Sequence, residues 1–170
     1  MHYVVFAALI AGVALGHAGE PLEPNPCSLL SSAEIGAATG VAVTEGTIAI
    51  HNGSTTSCSF ARRGGGRIAV FIRRPGAAWA ADQVDRMRRG VGLGSYREVG
   101  AVGERAFLLD RNAAGAVLCV FQHPYYLQLS IVGAGDPPQR PAILEKLART
   151  ALRRLTSRTA AGELAAVGRQ

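Results

Sequence analysis

The sequence predicts an α+β fold: a mainly antiparallel sheet flanked by helices on both faces, in the order helix, three strands, helix, four strands, helix. Three observations carry this reading. Segments with helical apolar spacing separate runs of several short β-prone segments, not single strands. Turn signals such as His51-Asn52-Gly53-Ser54 and Arg62 to Gly66 join neighbouring strands at hairpin distance. Ile68 to Ile72 is apolar at every position, so that strand needs cover on both of its faces.

The elements follow in chain order. Ser31-Ser32-Ala33-Glu34 has the spacing of a capping box, with Leu30 and Ile35 as the flanking hydrophobic staple and Gly40 to end a helix over 31–39. Val41 to Ile50, Thr55 to Ala61 and Ile68 to Ile72 form the first strand set. Pro75-Gly76 breaks the last of these. Ala80, Val84 and Met87, then Val91, recur at helical spacing and predict a helix over 77–89, ended by Gly90. Strands near 96–99, 105–110, 116–122 and 126–132 make the second set. Pro137-Pro138 opens the last helix, whose apolar face runs through Leu144, Leu147, Ala148, Ala151, Leu152 and Leu155. Arg153 and Arg154 fall in its expected last turn, where positive charge suits the helix dipole.

A chain of 170 residues suits one domain, and 48% hydrophobic against 18% charged residues excludes a disordered protein. Tyr3 to Leu15 is apolar but too short to span a bilayer, and it ends at Gly16-His17-Ala18 with small residues at −3 and −1. The expected organisation is a secretory leader over 1–18, an extended lead-in over 19–26, one domain over 27–156 and a frayed tail over 157–170. The mature chain is expected to be secreted or periplasmic. Three cysteines in an oxidising compartment leave one unpaired. Cys119 lies within the apolar run Val117 to Phe121 and reads as an inert core thiol, so Cys27 pairs with Cys58. Closing that loop contributes about 3.5 kcal/mol in the chain-entropy model.

Pro26-Cys27-Ser28-Leu29-Leu30-Ser31-Ser32-Ala33-Glu34 resembles the opening of small bacterial envelope domains that begin Pro-Cys-x-Leu-Leu-(Ser/Thr)-x-x-Glu. Cys58-Ser59-Phe60 is similar to their Cys-x-aromatic strand, and Ala101 to Ala106 to a Gly-x-Gly-acid-x-Ala signature that here lacks its first glycine. The resemblance implies a secreted or lipid-anchored domain of unknown function with one disulfide, and it brings no catalytic residues. No small-residue lipobox precedes Cys27.

Chemistry is sparse. After the leader only His51 and His123 remain, both at expected turns, too few for a metal site or an evident triad. Gly90 to Gly94 follows a helix and precedes a strand, the wrong order for a phosphate-binding loop, so no cofactor is expected. Asp82 and Asp85 stand among Arg86, Arg88 and Arg89, which suggests surface ion pairing and not acid–base work.

Charge is the least ordinary feature. The net charge is +6, and 62–97 holds nine arginines against two aspartates. Arg62, Arg63, Arg67, Arg86 and Arg89 are the candidate anion-binding residues, with Arg73 and Arg74 at the opposite strand end. Export and the scarcity of paired aromatics argue against nucleic acid. The expectation is a non-enzymatic binding or interaction domain of the cell envelope, with an anionic polymer, a lipid surface or an envelope protein as partner. The alternative is a secreted, hydrolase-like enzyme with its site near His51 or His123.

Overall fold

The computed structural model describes residues 24–52, 55–75, 77–89, 95–133 and 139–167. The expected leader, most of the lead-in, Gly53-Ser54, Gly90 to Gly94 and Pro137-Pro138 lie outside the described residues. A single 3-10 turn, Pro26–Ser28, precedes helix α1, Ser32–Thr39. Ser31 caps α1 as its spacing predicts: its hydroxyl accepts from the Glu34 N–H, and Glu34 accepts from the Ser31 N–H. Gly40 ends the helix at φ 71°, a conformation in which a side chain would strain the backbone.

Seven antiparallel strands form one sheet in the order β1-β2-β3-β7-β6-β5-β4. They are β1 Thr47–Asn52, β2 Thr55–Ala61, β3 Arg67–Arg73, β4 Ser95–Val99, β5 Arg105–Asp110, β6 Ala116–Gln122 and β7 Tyr125–Val132. Helix α2, Ala77–Arg89, separates β3 from β4, and α3, Arg140–Val167, follows β7. The element order is the expected one.

Two boundaries differ. The first strand starts at Thr47, and of 41–46 only Val43 pairs, in an isolated bridge to Arg62. Gly46, just before the strand, packs closely on β2, where a Cβ would lie 2.6 Å from Cys58 Sγ and 2.7 Å from the Phe60 ring. The last helix continues to Val167, past the expected end at Thr156. Ala160, Ala161, Glu163, Leu164, Ala165 and Ala166 are good helix formers and outweigh Gly162. Arg153 and Arg154 therefore lie in mid-helix, not in a last turn.

The strands' pleat divides the sheet's side chains into two unlike faces. Ile68, Val70, Ile72, Leu118, Val120, Leu127 and Leu129 point to one face, all fully buried. There α3 crosses β6 and β7 on Leu144, Ala148 and Ala151, and α1 packs on α3. The opposite face carries Phe71, Phe107, Phe121 and Tyr126 beneath Trp79 of α2. Seven strands span roughly 30 Å, whereas thirteen helical residues span about 20 Å at the width of one helix. Phe71, Leu109, Val117 and Phe121 accordingly stay only half-buried.

Two links fix the N-terminal segment to the first face. A disulfide joins Cys27 to Cys58 on β2, and a bidentate ion pair joins Glu34 to Arg154 at 2.6 and 2.8 Å. Burial works to raise the Glu34 pKa, but the Ser31 N–H, the Arg154 guanidinium and the Ser31 hydroxyl outweigh it and lower the value below 4.5.

A carboxyl whose pKa falls on folding adds stability that is present above its unfolded value and lost as pH drops through the folded one. Glu34→Gln is therefore expected to lower the denaturation midpoint at neutral pH, with the gap to wild type closing at acid pH below about 4. A gap constant across that range, followed by chemical denaturation, refutes the assignment. Gly46→Ala is expected to cost about 1–3 kcal/mol through overpacking on the disulfide, and an unchanged thermal midpoint contradicts that contact.

Candidate functional site

The β2–β3 hairpin gathers Arg62, Arg63 and Arg67 at one end of the sheet. Its turn is Gly64-Gly65-Gly66, with φ of 90°, 103° and 83°, values that a residue with a side chain rarely adopts. The turn closes through the Arg62 N–H to Gly66 O at 3.1 Å and the Gly65 N–H to Arg62 O at 3.2 Å. Ala61 pairs with Arg67, so the three arginines lie within one hairpin end. The pleat sends Arg67 to the aromatic face, while Arg62 shares the α1 face with its bridge partner Val43.

Beside this end runs a shallow groove of about 480 Å³ between α1 and residues 41–43. Ala33, Gly36, Ala37 and Gly40 line one side of it. The groove's far wall is stitched to the hairpin: the Arg63 N–H donates to Ala42 O at 3.1 Å, and the Thr44 N–H to Ala61 O at 2.8 Å. Ser32 donates to Glu45 at 2.6 Å at the groove's Ser32 end.

Most other described arginines near acids are neutralised. Arg86 pairs with Asp82 at 2.6 Å, Arg97 with Glu145 at 2.9 Å and Arg149 with Glu145 at 3.3 Å. Arg154 pairs with Glu34, and Arg105 stands 3.9 Å from Glu98. Among the described residues Arg62, Arg63 and Arg67 have no ion-pair partner. Arg62 is half-buried, and its Nε is shielded without a hydrogen-bond acceptor; the Nε atoms of half-buried Arg73 and Arg74 are shielded in the same way, but those two side chains rest on Trp79 and Tyr125. The hairpin therefore places Arg62, Arg63 and Arg67 at one end of the sheet, with Arg62 and Arg67 on opposite faces, while Arg86 and Arg89 belong to α2. Arg73 and Arg74 hold the opposite strand end, where Arg73 stacks on Trp79 at 4.5 Å and Arg74 donates to Tyr125 Oη at 2.9 Å.

The histidines do not converge. His51 belongs to edge strand β1, and His123 is exposed in the turn between β6 and β7, with β2 and β3 between β1 and that hairpin. Glu104 accepts from the His123 backbone N–H at 3.2 Å. Among the described residues no group of three His, Cys, Asp or Glu side chains is placed to hold a metal ion.

A polar network is buried within the aromatic face. Tyr126 Oη lies 3.1 Å from Cys119 Sγ and 3.0 Å from Gln128 Oε1, and Gln83 of α2 also bonds Tyr126. Burial pushes the Cys119 thiol up to about 11, against the opposing pull of the Tyr126 hydrogen bond and the Arg111 charge. Burial likewise raises Tyr126, as does the neighbouring Cys119. These groups stay neutral at physiological pH and tie α2 to the sheet. Sequence spacing put Ala80, Val84 and Met87 on the sheet side of α2 and passed over Trp79, whose ring lies 5.0 Å from that of Tyr126. A lone aromatic in an alanine-rich helix was the available signal.

Comparison with protein-family models, with curated proteins and with solved structures finds no match to this chain.

A free cysteine that is buried and protonated resists thiol reagents. Cys119 is expected to stay unlabelled by a maleimide at pH 8 in the native protein and to label fully in denaturant. Rapid native labelling, read by intact mass, contradicts the burial beneath α2.

Proposed function

We propose that this chain is a non-enzymatic, extracytoplasmic binding domain of the cell envelope that holds anionic material at the Arg62, Arg63 and Arg67 hairpin. The observation that carries the reading is the half-buried Arg62, a cation with no acid partner among the described residues and a shielded, unbonded Nε. A desolvated charge is costly alone, and a ligand oxyanion relieves that cost through charge-assisted hydrogen bonds. Arg63 and Arg67 are exposed and add to the same local field.

Placement outside the cytoplasm is supported by the Cys27–Cys58 disulfide, by the leader-like pattern at 1–18 and by the envelope-domain resemblance around Pro26 to Glu34. Among the described residues no helix is long and apolar enough to cross a membrane.

Retention on dextran sulfate resin tests the reading. The protein is expected to bind at low ionic strength and to elute as salt shortens the Debye length towards about 3 Å near 1 M. Arg62→Gln/Arg63→Gln/Arg67→Gln is expected to elute well before the charge-matched control Lys146→Gln/Arg149→Gln/Arg153→Gln. Co-elution of the two triple variants means that net charge alone drives retention, and the hairpin site is then wrong.

A further inference from the structure

We propose, resting on the anion-binding reading above, that the half-open part of the aromatic face is a trough for an acidic oligosaccharide. The sugar rings lie over β2, β3 and β7, and a carboxylate of the chain meets Arg67.

Strand register lays out the floor. Ser59 pairs with Ala69 and Ala69 with Ser130, while Ser57 pairs with Phe71 and Phe71 with Gln128. Ala69 and Phe71 lie two and four residues from Arg67 on β3, so they and their cross-strand partners share its face. Ser59, Ala69, Phe71, Gln128 and Ser130 are only half-buried, although their strands lie inside the sheet. By strand spacing the floor is about 10 Å wide and reaches Arg67 about 14 Å from Phe71, room for a disaccharide.

Unused polar groups stand along this floor. Ser57 is 6% exposed, and its hydroxyl has no hydrogen-bond partner among the described residues. The hydroxyls of Ser59 and Ser130 have none there either. Gln128 accepts from Tyr126, and among the described residues its amide N–H groups donate to nothing.

Apolar surface flanks the same floor. The Phe71 ring lies within it, Ile50 opposite Ser57 is 48% exposed, and Val132 opposite Arg67 is 39% exposed. At the α2 end the trough is closed by Trp79, which packs on Arg73 and Tyr126.

This mixture selects the ligand. An apolar helix or acyl chain would leave the serine hydroxyls and the Gln128 amide unpaired beneath it, at a cost for each. Bare polyphosphate makes no use of Phe71, Ile50 and Val132. An extended peptide pairs its backbone along a sheet edge, whereas these groups stand on a sheet face. A sugar ring carries hydroxyls around its rim and C–H groups on its faces, so it answers both kinds of surface at once. Arg67 adds the preference for an acidic sugar. It is exposed on this face, has no ion-pair partner among the described residues, and offers a carboxylate charge-assisted hydrogen bonds.

The test is calorimetry at low salt with tetragalacturonate, neutral maltotetraose, free galacturonate and inorganic pyrophosphate. Tetragalacturonate is expected to bind about tenfold or more tighter than maltotetraose or free galacturonate. Ser57→Ala/Ser59→Ala/Ser130→Ala is expected to weaken tetragalacturonate about tenfold and to leave pyrophosphate binding unchanged. Arg67→Gln is expected to weaken both. Ala69→Tyr fills the floor from a half-buried position and is expected to act as the serine variant does, with a thermal melt identifying which variant is folded. Unchanged tetragalacturonate affinity in a folded floor variant overturns the trough. Pyrophosphate binding without tighter tetragalacturonate binding removes the oligosaccharide and leaves the anion reading standing. Equal affinity for tetragalacturonate and maltotetraose removes Arg67 from the site. Absence of binding by both anionic probes overturns the anion reading itself. Binding to vesicles of anionic phospholipid without binding to tetragalacturonate replaces the sugar with a membrane and overturns the proposal.

Discussion

The Glu34 carboxylate receives the Ser31 backbone N–H, the Ser31 hydroxyl and both arms of Arg154, and through these bonds a short helix is fixed to the long one behind it. Helix α1 has eight residues and one fully buried side chain, Ile35, so its own amphipathicity cannot hold it on the sheet. Arg154 adds a second anchor by donating to Leu29 O at 2.9 Å, where the chain turns from the disulfide into the helix. The Cys27–Cys58 bond then ties the start of that turn to β2. Remove the carboxylate, and the cap and the interhelical pair are lost together. The groove is bounded on one side by α1, which Glu34 helps to hold.

The two faces of the sheet solve the packing problem differently. On the α3 side, Ala148 and Ala151 let the helix come close to β6 and β7, and most of the aliphatic residues of the sheet beneath it are fully buried. On the α2 side, Trp79 of the helix packs on Tyr126, whose ring meets Phe121, which in turn meets Phe107. Ring contacts are directional, and Tyr126 brings a hydroxyl that must be satisfied, which is the work of Cys119, Gln128 and Gln83. The unpaired cysteine is thus part of a packing solution, and its raised pKa follows from the same burial. One helix over seven strands leaves the remainder of that face half-open.

Much of this architecture was legible because its local signals agree with the global fold. Ser31-x-x-Glu34 fixed a helix start, Gly64 to Gly66 fixed a hairpin, and Cys119 within an apolar run identified the unpaired cysteine. What was not legible depends on distant residues. Glu34 and Arg154 are 120 positions apart, so spacing could show only the capping half of Glu34's role, and Arg154 read as a dipole partner in a final turn. The strand expected from Val41 starts only at Thr47, just past Gly46, whose close approach to a disulfide sulfur and a ring of the next strand no local pattern shows. Arg86 read both as a member of the cationic cluster and as an ion-pair partner of the nearby aspartates, and it is the pairing, with Asp82, that forms. The groove itself was invisible to pattern reading, since Ala33, Gly36 and Ala37 carry no chemistry until α1 is placed against residues 41–43.

Arginine makes up seventeen of the eighteen basic residues, a bias that a GC-rich coding sequence produces without selection for binding. Such a bias accounts for the choice of arginine over lysine. It says nothing about which arginines acquire an acid. Twelve acidic residues are spread along the chain, and those at 34, 82, 98 and 145 each come within ion-pair distance of an arginine. The hairpin breaks that pattern twice over. It concentrates three cations around a turn of three glycines, and one of the three, Arg62, is drawn partly out of water without compensation. A solvated face carries its charges on exposed side chains, where water and counter-ions screen them at little cost. A half-buried arginine with a shielded Nε has given up part of that screening, and an acid at a neighbouring strand position is the ordinary way to offset the loss. The local sequence provides Ala61, Val43 and Ala42 there instead. The charge is left for a partner from outside the chain to balance.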